Sequence, residues 1–452
     1  MKLKKAFLSY SNAAVLACTL VTIKCGGGAG SASPAPTVPT ITSFSVNPAS
    51  ISDGQTATLT WNIAGATSVS ISPNIGNSTA TSLTVSPFQT TTYTITALNT
   101  VGSSSSTVKL SVSEQLPNTW INSGSMVTGR SDYSANILND GKILVSGGMG
   151  QGQNGLVFLS SAEIYDPVTR IWRSTGSLNI PRYTNATITL GDGRVMVFGG
   201  FVGPSAQNPT GLTETCEIWD PITEKWTFGK SMSFKRSRHT ATTLKDGRIF
   251  ICGGGATATM FNSTPCEIFD PKTNTWTIAA GMQDEKSNHT ASLLLNGNVL
   301  VAGGLDKLSE LYNPATDKWT SLDPMFKSRT YRATATLLTN GNVLIVSGES
   351  GSFYPATFEV FESNTNKWTS CSDLNFPRYA QTLVILQSGK VLITGNAGEN
   401  INSEIFDPTN GKWTICSKPL LPFAAGTGLV LGDGRVLFID GNYTGKTQIY
   451  KP

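Results

Sequence analysis

The chain has 452 residues, enough for two or three domains, with a formal net charge of +4 and only 14% charged residues. Lys2, Lys4 and Lys5 supply three of those positive charges, and the +1 left without them excludes the basic stripe that nucleic-acid binding requires. The 45 Gly, with abundant Ser, Thr and Asn, predict short strands joined by many turns and exclude a helical protein.

The N-terminal stretch reads as an address. "MKLKK" is a positive n-region and "AFLSYSNAAVLAC" a moderately apolar h-region ending in small residues. "VLAC" (15–18) resembles a bacterial lipobox, which makes residues 1–17 a lipoprotein signal peptide and Cys18 the lipidated residue. Cys25, which opens the tether-like "CGGGAGSASPAP", is the alternative; Lys24 before it is a poor lipobox residue. An uncleaved transmembrane anchor is the remaining reading, and Ser9, Tyr10, Ser11 and Asn12 make the segment too polar to span comfortably. The expectation is export to the cell envelope, a lipid anchor in the membrane, and a Gly/Ser/Pro-rich tether over residues 18–39.

Residues 40–113 carry only two charged side chains, Asp53 and Lys109. Short alternating segments such as "TATLTWNI" (56–63), "TSVSIS" (67–72), "TTYTITALN" (91–99) and "TVKLSVS" (107–113) have the spacing of a β-sandwich, with Trp61 filling its core. Tyr93, near the start of a late strand, suits a tyrosine corner. The segment resembles the bacterial Ig-like domains of exported proteins, which usually act as spacers.

From residue 117 a repeat takes over. Two-residue turns, such as Asp192-Gly193 and Asp433-Gly434, demand φ > 0 and mark tight hairpins. The hairpin glycines are Gly141, Gly193, Gly247, Gly297, Gly341, Gly389 and Gly434. Each follows a tryptophan (Trp120, Trp172, Trp226, Trp276, Trp319, Trp368, Trp413) by 21 residues, or 22 in one unit. A break pair such as Gly199-Gly200 comes next, and then "EIYDP" (163–167) or a variant of it. Four strands per unit with a period of 43–54 residues predict a β-propeller. Break glycines, an aromatic on the third strand and a Trp on the fourth resemble kelch repeats, as in the propeller of galactose oxidase. The expected fold is all-β: a seven-bladed kelch-type propeller over 117–452, preceded by a small Ig-like sandwich. Residues 117–120 should close the ring as the outer strand of the last blade, since an unfinished blade exposes a strand edge.

With strands a to d numbered outward from the channel, the a–b and c–d turns are short and share one face. The b–c loops, on the other face, differ widely in length, and variable loops on a fixed scaffold are where binding usually resides. Basic residues recur 11 or 12 positions before the hairpin glycine: Arg130, Arg182, Arg236, Lys286, Arg329 and Arg378. They are candidates for a cationic ring that takes an anionic ligand. The opposing reading pairs each with the acid that opens strand c (Glu163, Glu217, Glu267, Glu310, Glu359, Glu404). The one unit with Phe423 in place of the base has Gln448 in place of the acid.

The resemblance to galactose oxidase implies a copper site of two His and two Tyr, one Tyr cross-linked to a Cys. His239 and His289, the only histidines, occupy the same register in adjacent units and read as structural. The expectation is therefore no metal and no cofactor. Among the cysteines, only Cys252 and Cys266 lie on neighbouring strands of one blade and form a plausible bridge; buried thiols are the alternative. The sequence reads as a binding or adhesion protein for a glycan or protein ligand. A carbohydrate-active enzyme, resembling either a sugar oxidase or a sialic-acid epimerase, and a purely structural envelope protein are the rival readings.

Overall fold

The computed structural model describes residues 37–53, 55–73, 75–87, 89–113, 117–205, 210–255, 265–284, 286–304, 306–329, 333–346, 357–370, 373–378, 380–395 and 402–452. Cys18, Cys25 and the signal segment therefore lie outside the described residues. No described helix is long and apolar enough to cross a membrane.

Seven apolar tetrapeptides, among them Ile143–Ser146, Val195–Phe198, Ile249–Cys252 and Val436–Ile439, are buried at every position. A strand can be apolar on both faces only where both faces are covered, and each of these is the second strand of a four-stranded antiparallel sheet. Seven such sheets are present among the described residues. In the first, the strands a to d are Ser134–Ile137, Ile143–Ser146, Ala162–Asp166 and Ile171–Thr175. In the seventh, Thr427–Val430, Val436–Ile439 and Lys446–Lys451 are completed by Thr119–Ser125 from the start of the repeat region. There Trp120 lies opposite Tyr450 and Thr119 opposite Lys451.

Apolar side chains fill each gap between neighbouring sheets. Val195, Val197 and Trp219 of the second sheet pack on Leu144 and Ile164 of the first. Ile121, Leu437 and Ile449 of the seventh pack on Ile143, Val145 and Tyr165 of the first, so the ring has no open gap. Six of the seven recurring tryptophans hydrogen-bond to the sheet before their own, the exception being Trp413, whose indole N–H is buried without a partner among the described residues. The indole N–H groups of Trp226, Trp276 and Trp319 each donate to a main-chain carbonyl of the preceding sheet at 2.8 Å: Gly176, Lys230 and Ala280. Trp120 does the same to Ser417 at 3.1 Å. A Trp serves both needs, with an apolar body for the gap and one donor for the neighbour.

The N-terminal unit is a two-sheet sandwich. Thr40–Asn47, Ala57–Ala64 and Ser82–Val85 form one sheet, and Ser50–Ser52, Ser103–Ser113, Thr91–Leu98, Ser68–Ser72 and Gly76–Asn77 the other. Trp61, Tyr93, Leu59, Ile95 and Leu110 fill the space between them. This unit is held to the propeller by a contact that its composition did not announce. Asp53 forms an ion pair with Arg170 in the c–d turn of the first sheet, and both side chains are 4% exposed. Arg170 has φ 58°, at a turn position that other sheets fill with Asn274, Asp317, Asn366 or Gly411, and the second sheet with Glu224. Asn, Asp and Gly tolerate the left-handed region better than Arg does.

Candidate functional site

The six basic residues singled out in the sequence do not form a cationic ring. Arg130, Arg182, Arg236, Arg329 and Arg378 are 0% exposed and Lys286 is 2% exposed, each inside its own blade. The correction has a physical reason. Arg182 donates to Gly199 O and Thr215 O at 2.9 Å and to Glu217 Oε1 at 2.8 Å. Glu217 accepts in addition the N–H groups of Asn179 (2.6 Å) and Ile180 (3.1 Å). The pair therefore binds the d–a loop, the break glycine and the start of strand c together, and the one guanidinium donor without a partner among the described residues, Arg182 Nε, is itself buried away from any ligand. Arg130–Glu163 (2.7 Å), Arg236–Glu267 (2.8 Å), Arg329–Glu359 (3.0 Å) and Arg378–Glu404 (3.0 Å) repeat the arrangement. Burial pulls the guanidinium pKa of Arg182 down while Glu217 opposes it.

Two blades depart from this pattern. Lys286 pairs with Asp306 at 3.4 Å, and Glu310 instead accepts the N–H groups of Gln283 and Asp284. In the seventh blade Gln448 Oε1 accepts from Leu420 (2.8 Å) and Leu421 (3.2 Å), and its Nε2 donates back to Leu421 O (3.1 Å). A neutral amide does the loop-holding work of the carboxylate there, so the blade needs no counterion and has Phe423 in its place.

Two residues past five of the buried bases, and past Phe423, the chain turns into strand a with φ > 0. Asp132 (47°), Thr184 (49°), Arg238 (56°), Asn288 (55°), Ala380 (53°) and Ala425 (50°) share this position. Their main chains hydrogen-bond from blade to blade: Arg238 N–H to Thr184 O and Asn288 N–H to Arg238 O, both 3.1 Å, and Ala425 N–H to Ala380 O, 2.7 Å. Asp132, Thr184, Arg238 and Asn288 are half-buried. The second break glycine permits this close approach; a Cβ on Gly254 would lie 2.5 Å from Ser237 O, and one on Gly200 2.7 Å from Tyr183 O.

Beside these residues the b–c loops of the first two blades build small sheets of their own. Met149–Gly152 pairs with Gly155–Phe158, and Phe201–Val202 pairs with both Arg182–Tyr183 and Gly211–Leu212. Tyr183 stacks on Phe201 at 5.3 Å and leans on Phe158 at 4.6 Å. Burial raises the Tyr183 pKa; Arg238 lowers it and Asp132 raises it, which sets the phenol in the field of both. Asp132, Tyr183, Thr184, Arg238 and Asn288 thus form a mixed-charge, part-aromatic rim. Sequence reading passed over these residues because their types differ from blade to blade. The available signal was their fixed offset from the buried base.

His239 and His289 are buried at 7% and 6% exposure, packed under the break glycines. His289 Nε2 lies 2.9 Å from Thr240 Oγ1, and neither ring nitrogen of His239 has a hydrogen-bond partner.

The Kelch motif matches residues 133–179, 182–233 and 235–283. The fold is a kelch β-propeller. Alpha-scruin of Limulus polyphemus is 28% identical over 144 residues, 32% of this chain and 15% of that protein. Kelch-like protein 28 of Mus musculus is 35% identical over 109 residues, 23% of this chain and 18% of that protein. The chain thus spans less than a fifth of the length of either relative. Among solved structures, a fungal alcohol oxidase of the AA5 family, in complex with copper, superposes with a TM-score of 0.60 at 18% identity, over 74% of this chain and 76% of that one. That likeness is one of fold. Among the described residues no three His, Cys, Asp or Glu side chains converge on a metal position, and both histidines are buried.

Proposed function

We propose that the propeller is a binding module for a protein partner, which it grips through the rim of Asp132, Tyr183, Thr184, Arg238 and Asn288. The observation that carries this reading is the clustering of varied polar side chains at one repeated position beside the aromatic Tyr183–Phe201 pair of the b–c loops. Alpha-scruin and kelch-like protein 28, which share the repeat, add a second line of support. A glycan ligand is the second reading, favoured by the stacked Tyr183–Phe201 pair, since sugars pack on aromatic faces. Catalysis has no support of comparable weight, because the buried Arg–Glu pairs are used up in holding loops.

The test is a protein and glycan array probed with the soluble chain, its Asp132→Ala/Arg238→Ala variant, and Asp192→Ala/Arg194→Ala on the opposite face. Protein signals lost only in the first variant support the proposal. Glycan signals lost in that variant transfer the site to a sugar, and loss only in the second variant overturns the choice of face.

We propose further that the chain is an exported lipoprotein, anchored through Cys18. Radiolabelled palmitate should enter the wild type and be lost in Cys18→Ala. Loss in Cys25→Ala alone would reassign the anchor.

A further inference from the structure

Cys252 ends strand b of the third blade and Cys266 opens strand c. Their register pairs Ile249 with Phe269, Phe250 with Ile268 and Ile251 with Glu267, so the next rung sets the two cysteines opposite each other. The sixth blade shows what side chains do on that rung. Thr394 and Ser403 touch there, hydroxyl to hydroxyl, at 2.9 Å. The remaining blades carry at most one cysteine at this level, Cys216 opposite Phe198.

Cys252 has a base and a hydroxyl beside it. Cys252 Sγ lies 3.6 Å from His289 Nε2 and 3.3 Å from Thr240 Oγ1. The Cys266 thiol, and after it His289, hold Cys252 well below the ordinary thiol range, whereas the same thiol contact and burial push Cys266 up. The contacts thus favour loss of the Cys252 proton over that of Cys266, and the thiolate is the nucleophile. The blade's own architecture does not require this, since other blades fill the rung with Ser, Ala, Val or Phe.

We propose that Cys252 and Cys266 are a redox site, oxidised by a small-molecule disulfide to a cross-strand bond that pins both feet of the third blade's b–c loop. Cys252 Sγ attacks one sulfur of the reagent, the reagent's S–S bond breaks, and one thiolate leaves and takes up a proton, with His289 receiving the Cys252 proton in transit. Cys266 Sγ then attacks Cys252 Sγ in the mixed disulfide and expels the second thiolate, which takes the Cys266 proton. Two protein thiols lose two electrons and two protons, and the reagent becomes two thiols. Both sulfurs are buried in the folded chain, so the reagent reaches them through local opening of the third blade, late in folding or after it, with His289 still beside Cys252. The loop so pinned lies on the face proposed for binding, but the redox chemistry stands independently of which ligand that face takes.

The test is refolding of the full-length chain from urea in a glutathione redox buffer, or in reduced glutathione alone, followed by alkylation and non-reduced peptide mapping. A linked Cys252–Cys266 peptide in the first sample and two alkylated cysteines in the second support the proposal. The oxidised protein should lose several degrees of Tm on reduction, as expected for opening a short closed loop. Cys252→Ser and Cys266→Ser should abolish that reductant-dependent shift, and Cys216→Ser should keep it. Alkylation of both cysteines after oxidative refolding, or linkage of either to a different cysteine, overturns the assignment, and neither readout depends on a variant folding well.

Discussion

Arg182 and Glu217 illustrate how a buried charge pair can be necessary to one blade and dispensable to the design. Removing one partner strands the other in the blade interior, a loss of about 3–5 kcal/mol. Arg182→Phe alone should therefore be strongly destabilised in urea melts. The seventh blade already contains the compensated form, Phe423 with Gln448. Arg182→Phe/Glu217→Gln should accordingly recover most of the loss; a double variant no more stable than the single one would show that Gln448 works only in its own surroundings. His239 supports a pH prediction. Burial first, then Arg236 and His289, hold its pKa well below the usual value of 6.5. The unfolded chain thus takes up a proton that the folded chain refuses, so this stability is intact above about pH 6.5 and declines as pH falls below it. By pH 5 the loss reaches up to about 2 kcal/mol. His239→Gln should flatten that part of a stability-versus-pH curve, and an unchanged slope would remove His239 as its source. The joint replacement of base and acid in one repeat was legible in the sequence, and it pointed to pairing. The Lys286–Asp306 exchange was not, because only the fold shows that Asp306 reaches the amine and leaves Glu310 to the main chain.

Among the strands, Thr119–Ser125 makes the most specific demand. Trp120 sits between Phe438 and Tyr450, each ring 5.0 Å away, and bonds to the sixth blade through Ser417. Trp120→Ala should cost about 3–5 kcal/mol, as for other buried large-to-small changes. Deleting 114–122 should uncover the edge of Lys446–Lys451 and produce self-association visible in analytical ultracentrifugation. A monomeric deletion that melts like its parent would contradict the role of this strand. The turn bearing Arg170 gives a second test. Arg170→Asn suits the left-handed backbone better but removes the guanidinium that Asp53 pairs with. A cycle with Asp53→Asn should show coupling of roughly 0.5–3 kcal/mol, and additive effects would mean the two side chains act separately. The strand order was readable because hairpin glycines and tryptophans keep a fixed spacing. The rim residues obey the same spacing, yet their identity varies, so nothing in composition separates them from ordinary loop positions.

For the molecule as a whole, the sequence pointed to a sandwich that serves as a spacer, so that deleting residues 40–110 would leave the propeller's melting temperature nearly unchanged. The Asp53–Arg170 contact changes that expectation. Deleting 40–113 should lower the propeller's Tm by uncovering Arg170, and adding Arg170→Asn should restore it; a propeller indifferent to both changes would return the sandwich to a passive role. One acidic residue among 74 gave little warning in the sequence, since a lone charge on a polar surface is ordinarily solvated. The same contact has a mechanical meaning. A pull applied to the N-terminal side of the sandwich first meets this ion pair, which hands the load to the first blade. Only after it parts does the force run on through residue 113 into Thr119–Ser125, the strand whose ladder with Lys446–Lys451 is the seam of the ring. The ion pair is thus a strain relief, comparable to the clamp that keeps tension on a cable away from its soldered joint.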